Sequence, residues 1–129
     1  MAGRGFAPSK AEIEIEVAAD GKVRGPDLPD SYDWPAQTRE WWENWRRSAQ
    51  SVRFAPTDWD FMLDTAMLHG ELWAGNGAVA SELRLRVATF GATIEDRARL
   101  KMAIVEPEGK KAPAKKKSSR LRVVDAQAS

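Results

Sequence analysis

The sequence predicts an all-α fold: a small bundle of about four helices around a central helical hairpin, with an extended or hairpin-like N-terminal arm and a basic C-terminal tail. Three observations predict it. All six tryptophans fall in one window of forty residues, Trp34 to Trp73. Apolar residues in that window recur at the helical period, and helix stop and start signals sit at Ala55-Pro56, Ala74 to Gly77 and Gly91 to Asp96. A Trp side chain buries about 150–250 Å², so the window marks where the chain condenses.

The 129 residues allow one small domain with tails: an arm and linker over 1–30, a helical oligomerisation core over 31–105 and a basic flexible tail over 106–129. Net charge is only +1, but its distribution is uneven: residues 106–129 carry seven basic and three acidic groups, net +4. The absence of cysteine excludes a disulfide framework and a thiolate metal site. No apolar run approaches the roughly 18 residues of a membrane span and the first residues lack a signal-peptide core, so the expectation is a soluble, intracellular protein.

In chain order, MAGRGFAPSK is Gly-, Ala- and Pro-rich and reads as disordered. Glu12 to Val17 alternates strictly between acidic and apolar residues, the pattern of a strand with one apolar face. Asp20-Gly21 then offers a turn back into Lys22-Val23-Arg24, which predicts a small hairpin docked loosely on the helices. Gly25 to Pro29 reads as a linker.

The first helix starts at Pro35, and Trp34, Thr38, Trp41, Trp45 and Ala49 form its apolar stripe, with Trp42 off it. Glu43 and Arg47 are spaced for a surface pair. Pro56 separates this helix from the second, whose start, Thr57-Asp58-Trp59-Asp60, predicts a Thr57 cap accepting from the Asp60 amide. Trp59, Leu63, Ala66, Met67 and Trp73 make one stripe; Phe61, Leu68 and Leu72 make another. A helix apolar on more than one side is normally enclosed by further protein, which predicts self-association. The candidate core and subunit-interface residues are therefore Trp41, Trp42, Trp45, Trp59, Phe61, Leu63, Met67, Leu68, Leu72 and Trp73.

A third helix is predicted from Ala78 to Phe90, with Val79, Leu83, Val87 and Phe90 on one face. Gly91 ends it, and Thr93-Ile94-Glu95-Asp96 opens a fourth that runs to about Val105. The two have helix-turn-helix dimensions, but Glu95 and Asp96 would meet phosphate at the start of a recognition helix, so simple helical-hairpin packing is the better reading. Beyond Pro107, Lys110, Lys111, Lys115, Lys116, Lys117, Arg120 and Arg122 form a cationic strand suited to salt-sensitive contact with nucleic acid. Leu121, Val123 and Val124 within it are a candidate docking motif for a partner protein.

Nothing in the sequence calls for catalysis, a cofactor or a metal. The single histidine, His69, lies among apolar neighbours inside the second helix and reads as a hydrogen-bonded structural residue. HExxH and phosphate-loop motifs and a cysteine nucleophile are all missing. Asp58, Asp60 and Asp64 are better explained by a helix N-terminus and a solvated edge than by an ion.

The opening MAGRG-AP, the lead-in ADGKVRGPDLP, the block WPAQTREWWENWRRSAQSVRFAPTDWDFMLDTAMLHGELW and the block ELRLRVATFGATIEDRARLKM together resemble the small terminase subunits of tailed phages that infect actinobacteria. The resemblance covers roughly residues 1–105; the tail shares only its basic character. It implies a non-enzymatic, DNA-recognising component of the genome-packaging motor, acting in the host cytoplasm. It further implies a homo-oligomeric ring that binds double-stranded viral DNA and delivers it to the large terminase subunit, which holds the ATPase and nuclease. A separate N-terminal helix-turn-helix domain, usual in such subunits, is not evident here. The candidate DNA contacts are therefore the tail, the arm with Arg4 and Lys10, and Arg84, Arg86, Arg97, Arg99 and Lys101 on the later helices. A head-completion or connector protein and a small DNA-binding regulator are the alternatives, the latter predicting a dimer on a palindromic operator.

Overall fold

The computed structural model describes residues 12–107. In order they form β1 (Ile15–Val17), α1 (Ala36–Arg46), a 3-10 turn (Gln50–Arg53), α2 (Pro56–Trp73), a second 3-10 turn (Gly77–Val79), α3 (Ala80–Ala88), α4 (Ile94–Arg99) and β2 (Met102–Ile104). The fold is thus mostly helical, with four helices and one two-stranded sheet among the described residues.

Helix α1 begins after Pro35, whose carbonyl accepts from the amides of Thr38 and Arg39 at 3.0 and 3.1 Å. It stops at Arg46, short of the Ala49 expected from the stripe. Ser48 explains the stop: its hydroxyl donates to the Trp45 carbonyl at 2.8 Å and accepts from the Ser51 amide at 3.1 Å, so a side chain competes with the helical ladder and starts the 3-10 turn.

Helix α2 starts one residue earlier than its predicted cap. Pro56 has the φ that a first helical residue needs, so Ala55 becomes the N-cap and Asp58, three residues on, accepts from the Ala55 amide at 2.8 Å. Thr57 does not cap. Thr93 does: its hydroxyl accepts from the Asp96 amide at 3.1 Å while the Asp96 carboxylate accepts from the Thr93 amide at 3.2 Å, a reciprocal capping box for α4. Glu43 and Arg47 pair at 3.3 Å as spaced.

Two further expectations are corrected. Helix α4 ends at Arg99, and Lys101, at φ +58°, breaks the helix before Met102–Ile104 extend. The strand at Ile15–Val17 pairs parallel with those residues, Ile15 opposite Met102 and Val17 opposite Ile104, not with Lys22-Val23-Arg24. Asp20 and Arg24 form an ion pair instead, and Gly21 at φ +80° lets the chain turn there without a ladder. A partner with a compatible apolar face, far off in sequence, outcompetes both the local hairpin and the last helical turn. Consequently α3 packs on α2 and α4 on β2, and the third and fourth helices do not make the expected hairpin of their own.

The core is a cluster of Trp34, Trp42, Trp45, Trp59, Met62, Ala66 and Phe90. Trp42, expected off the stripe, is the most deeply buried tryptophan. The reason is the segment from Gly25 to Pro29, expected as a linker, which together with Arg24 instead lies across α1 as a strap. The Trp42 indole N–H donates to the Pro26 carbonyl at 2.9 Å and its ring meets Trp59 edge-on at 5.6 Å. Arg46 fastens the strap, donating to the carbonyls of Arg24 (2.8 Å) and Gly25 (2.9 Å) and to the carboxylates of Asp27 (2.8 Å) and Glu43 (3.1 Å). Gly25 sits at φ +78° with the Trp59 ring 2.7 Å from where a Cβ would stand, so the close approach needs glycine.

Candidate nucleic-acid and assembly surfaces

The described body is acidic. Residues 12–107 hold eleven basic and seventeen acidic groups, net −6, which leaves the remaining residues of the chain at net +7. Most cations of the body are already engaged. Arg86 pairs with Glu82 at 2.9 Å and stands over the Phe61 ring at 5.4 Å; Arg99 pairs with Asp96 at 2.9 Å; Lys101 lies 3.6 Å from Glu14. Arg97 donates to the carbonyls of Gly91 and Ala92, closing the turn between α3 and α4. Arg84, exposed on α3, makes no ion pair among the described residues. Of the later-helix cations named from sequence, then, four are engaged within the described body.

Arg4, Lys10, Lys110, Lys111, Lys115, Lys116, Lys117, Arg120 and Arg122 lie outside the described residues, as do Leu121, Val123 and Val124. Their points of attachment are described. The Val105 amide donates to the Val17 carbonyl at 2.8 Å, so the chain leaves towards the tail beside the strand that follows the arm.

The residues read as core or interface divide into two groups. Trp42, Trp45 and Trp59 are buried in the core, with Trp41, Leu63 and Met67 packed against it; Leu68 and Leu72 are half-buried. Phe61 and Trp73 are 38% and 54% exposed. Leu85, outside every predicted stripe, is also 54% exposed. It lies off the Leu83–Val87 face of α3, and an isolated leucine on the polar side of a short helix gives no periodic signal. Three bulky apolar side chains on α2 and α3 therefore remain in water.

His69 is placed as a structural residue. Its Nδ1 shares a 2.8 Å hydrogen bond with the Thr38 hydroxyl, its ring stacks on Trp41 at 4.5 Å, and burial holds its pKa below the ordinary histidine value. It ties α1 to α2. Among the described residues no group of three or more His, Asp or Glu is arranged to hold a metal ion, and no helix is long and apolar enough to cross a membrane.

The strap creates one feature that sequence reasoning missed, a groove of about 650 Å³ between residues 27–34 and α1. Leu28, Tyr32 and Trp34 wall it, and Asp27, Asp30, Asp33 and Glu43 bring carboxylates to it; Arg39 is the cation of the lining, and Arg46 holds Asp27 and Glu43 from beside it. Tyr32 is 53% exposed and meets Trp34 edge-on at 5.4 Å.

A family model described as phage terminase small subunit matches residues 4–128. No curated protein and no solved structure matches the chain.

Proposed function

Because the chain belongs to the phage terminase small subunit family, we propose that it recognises viral DNA at the packaging site and presents it to the large terminase subunit in the host cytoplasm. Small terminase subunits are in general non-catalytic, and the ATPase and nuclease reside in the large subunit. The motif resemblance favours a tailed phage of an actinobacterial host.

One observation carries the DNA-binding half of the reading: the separation of charge between an acidic body and cationic ends. Phosphate is repelled by a surface of net −6 and attracted by Lys110, Lys111, Lys115, Lys116, Lys117, Arg120 and Arg122, helped by Arg4 and Lys10. Contacts of this kind supply affinity rather than sequence choice. A homo-oligomeric ring multiplies them through effective concentration. The exposed Phe61, Trp73 and Leu85 are the side chains best suited to subunit contact, since association removes them from water. Leu121, Val123 and Val124 are a candidate docking motif for a partner protein.

The test is a chain ending at Val105, which keeps β2 and its bond to Val17. It should assemble as the full chain does, while its gel-shift affinity for duplex DNA falls. The slope of log K against log salt should shrink by about 4–6, as expected for the loss of most of seven phosphate contacts at about 0.9 each. Unchanged affinity on removing residues 106–129 would dismiss the tail as the DNA contact.

A further inference from the structure

We infer that the groove between the strap and α1 is the resting dock of this chain's own cationic tail, residues 110–124, which DNA must displace. The inference rests on the tail being the DNA contact. The occupant is argued from chemistry and from reach.

The chemistry matches in two respects. The groove brings Asp27, Asp30, Asp33 and Glu43 around an apolar wall that ends in the exposed Tyr32 ring. The tail offers lysines at 110, 111 and 115–117, followed by Arg120-Leu121-Arg122-Val123-Val124, where cations alternate with apolar residues. Carboxylates suit the cations, the wall suits Leu121 and Val123, and an exposed aromatic face beside acids accepts a guanidinium or ammonium. Asp27 and Glu43 already pair with Arg46, but the other two acids are not spent internally. Asp30 makes no ion pair among the described residues, and Asp33 reaches Arg39 only at 3.8 Å with both side chains largely in water.

Reach is fixed by the fold. The Val105 amide is bonded to the Val17 carbonyl, and the chain itself covers the path from Val17 to Asp27 in ten residues, at most about 33 Å. The ten residues from Val105 to Lys115 span as much when extended. Tethering at that distance gives the tail an effective concentration in the millimolar range, enough for a weak multi-charge contact to be occupied.

The consequence is a threshold. A few scattered phosphates cannot outcompete the tethered dock, whereas a duplex that engages several tails at once can, so docking favours DNA met by a whole assembly over stray anions.

Zero-length carbodiimide cross-linking of the full chain tests this directly. Links from Lys115, Lys116 and Lys117 should fall on Asp27, Asp30 and Asp33 at least about fivefold more often than on Asp60, Asp64 and Glu71 of α2, given the tethered concentration. Excess duplex DNA or 0.5 M salt, at which the Debye length falls to about 4 Å and exposed charge pairs are screened, should abolish them. Links spread evenly over exposed carboxylates overturn the dock. In a mixture of isotopically heavy and light protein, heavy–light links overturn its assignment to the chain's own tail.

The double variant Asp30→Asn/Asp33→Asn spares the fold, since neither side chain is buried. It should tighten DNA binding about two- to tenfold more than the charge-matched Asp60→Asn/Asp64→Asn, because only the first removes a competitor. Equal gains refute the competition. The cross-links are read without DNA, so their failure leaves the tail's role in DNA binding standing, whereas unchanged affinity on tail deletion leaves the cross-links untouched.

Discussion

Replacing Gly25 by alanine is the sharpest test of the strap. Two costs add. At φ +78° an alanine sits in the left-handed region, at about 1–2 kcal/mol. Its Cβ would also stand 2.7 Å from three ring atoms of Trp59. That ring cannot step aside, because Trp42 lies 5.6 Å away and Phe54 5.0 Å away. Overpacking of this kind costs about 1–3 kcal/mol, so Gly25→Ala should lose roughly 2–5 kcal/mol in all. Gly21 is the internal control, with φ +80° and nothing within 4 Å of its missing Cβ. Gly21→Ala carries only the backbone cost, about 1–2 kcal/mol. Urea unfolding followed by tryptophan fluorescence reads both midpoints. If the two variants differ by less than about 0.5 kcal/mol, no steric contact with Trp59 exists and the strap does not cross α1 as described.

Three further outcomes are expected. Arg46→Lys keeps the charge but loses the fork that reaches the Arg24 and Gly25 carbonyls and the Asp27 carboxylate together, and should destabilise by about 1–3 kcal/mol in the same urea assay; wild-type stability would contradict the clamp. His69 is held neutral by burial while the unfolded chain takes up its proton near the ordinary value of about 6.5. Stability should therefore be complete above that pH and decline as the pH falls below it towards the lowered folded value, in a melt series where His69→Gln flattens the slope. Trp73→Ser with Leu85→Ser should raise the concentration at which the protein assembles by roughly ten- to a hundredfold, because burying a large apolar side chain in a subunit interface stabilises by about 1.5–3 kcal/mol. Light scattering checks it, and circular dichroism should stay unchanged because both side chains are more than half exposed.

Local chemistry was legible in the sequence. The Thr93–Asp96 box and the Glu43–Arg47 pair each depend on residues within four positions of one another, and each forms; the Thr57 cap, equally local, lost to the Pro56 start. What was not legible is whatever a distant segment decides. The stripe through Trp41 assumed one covered side for α1; the strap covers another, and Trp42 rather than Trp41 goes deepest. The alternation in Glu12 to Val17 correctly marked a strand, yet its partner is 87 positions away at Met102, beyond any turn signal. Charge was countable from the start, and the basic tail was read from it; the acidity of the body appears only once its bounds are drawn at residues 12–107. The acidic groove was not legible, because one side of it is built by Asp27 to Pro29, part of a segment that read as mere connection.

That long-range strand pair also bears on synthesis. Ile15 emerges from the ribosome long before Met102–Ile104, so this seam closes only after all four helices have been made. A polypeptide released prematurely, before residue 102, has the helices but an open seam and none of the cations that follow. A closed seam thus reports that synthesis has passed residue 104, and says nothing of the cations from Lys110 onward.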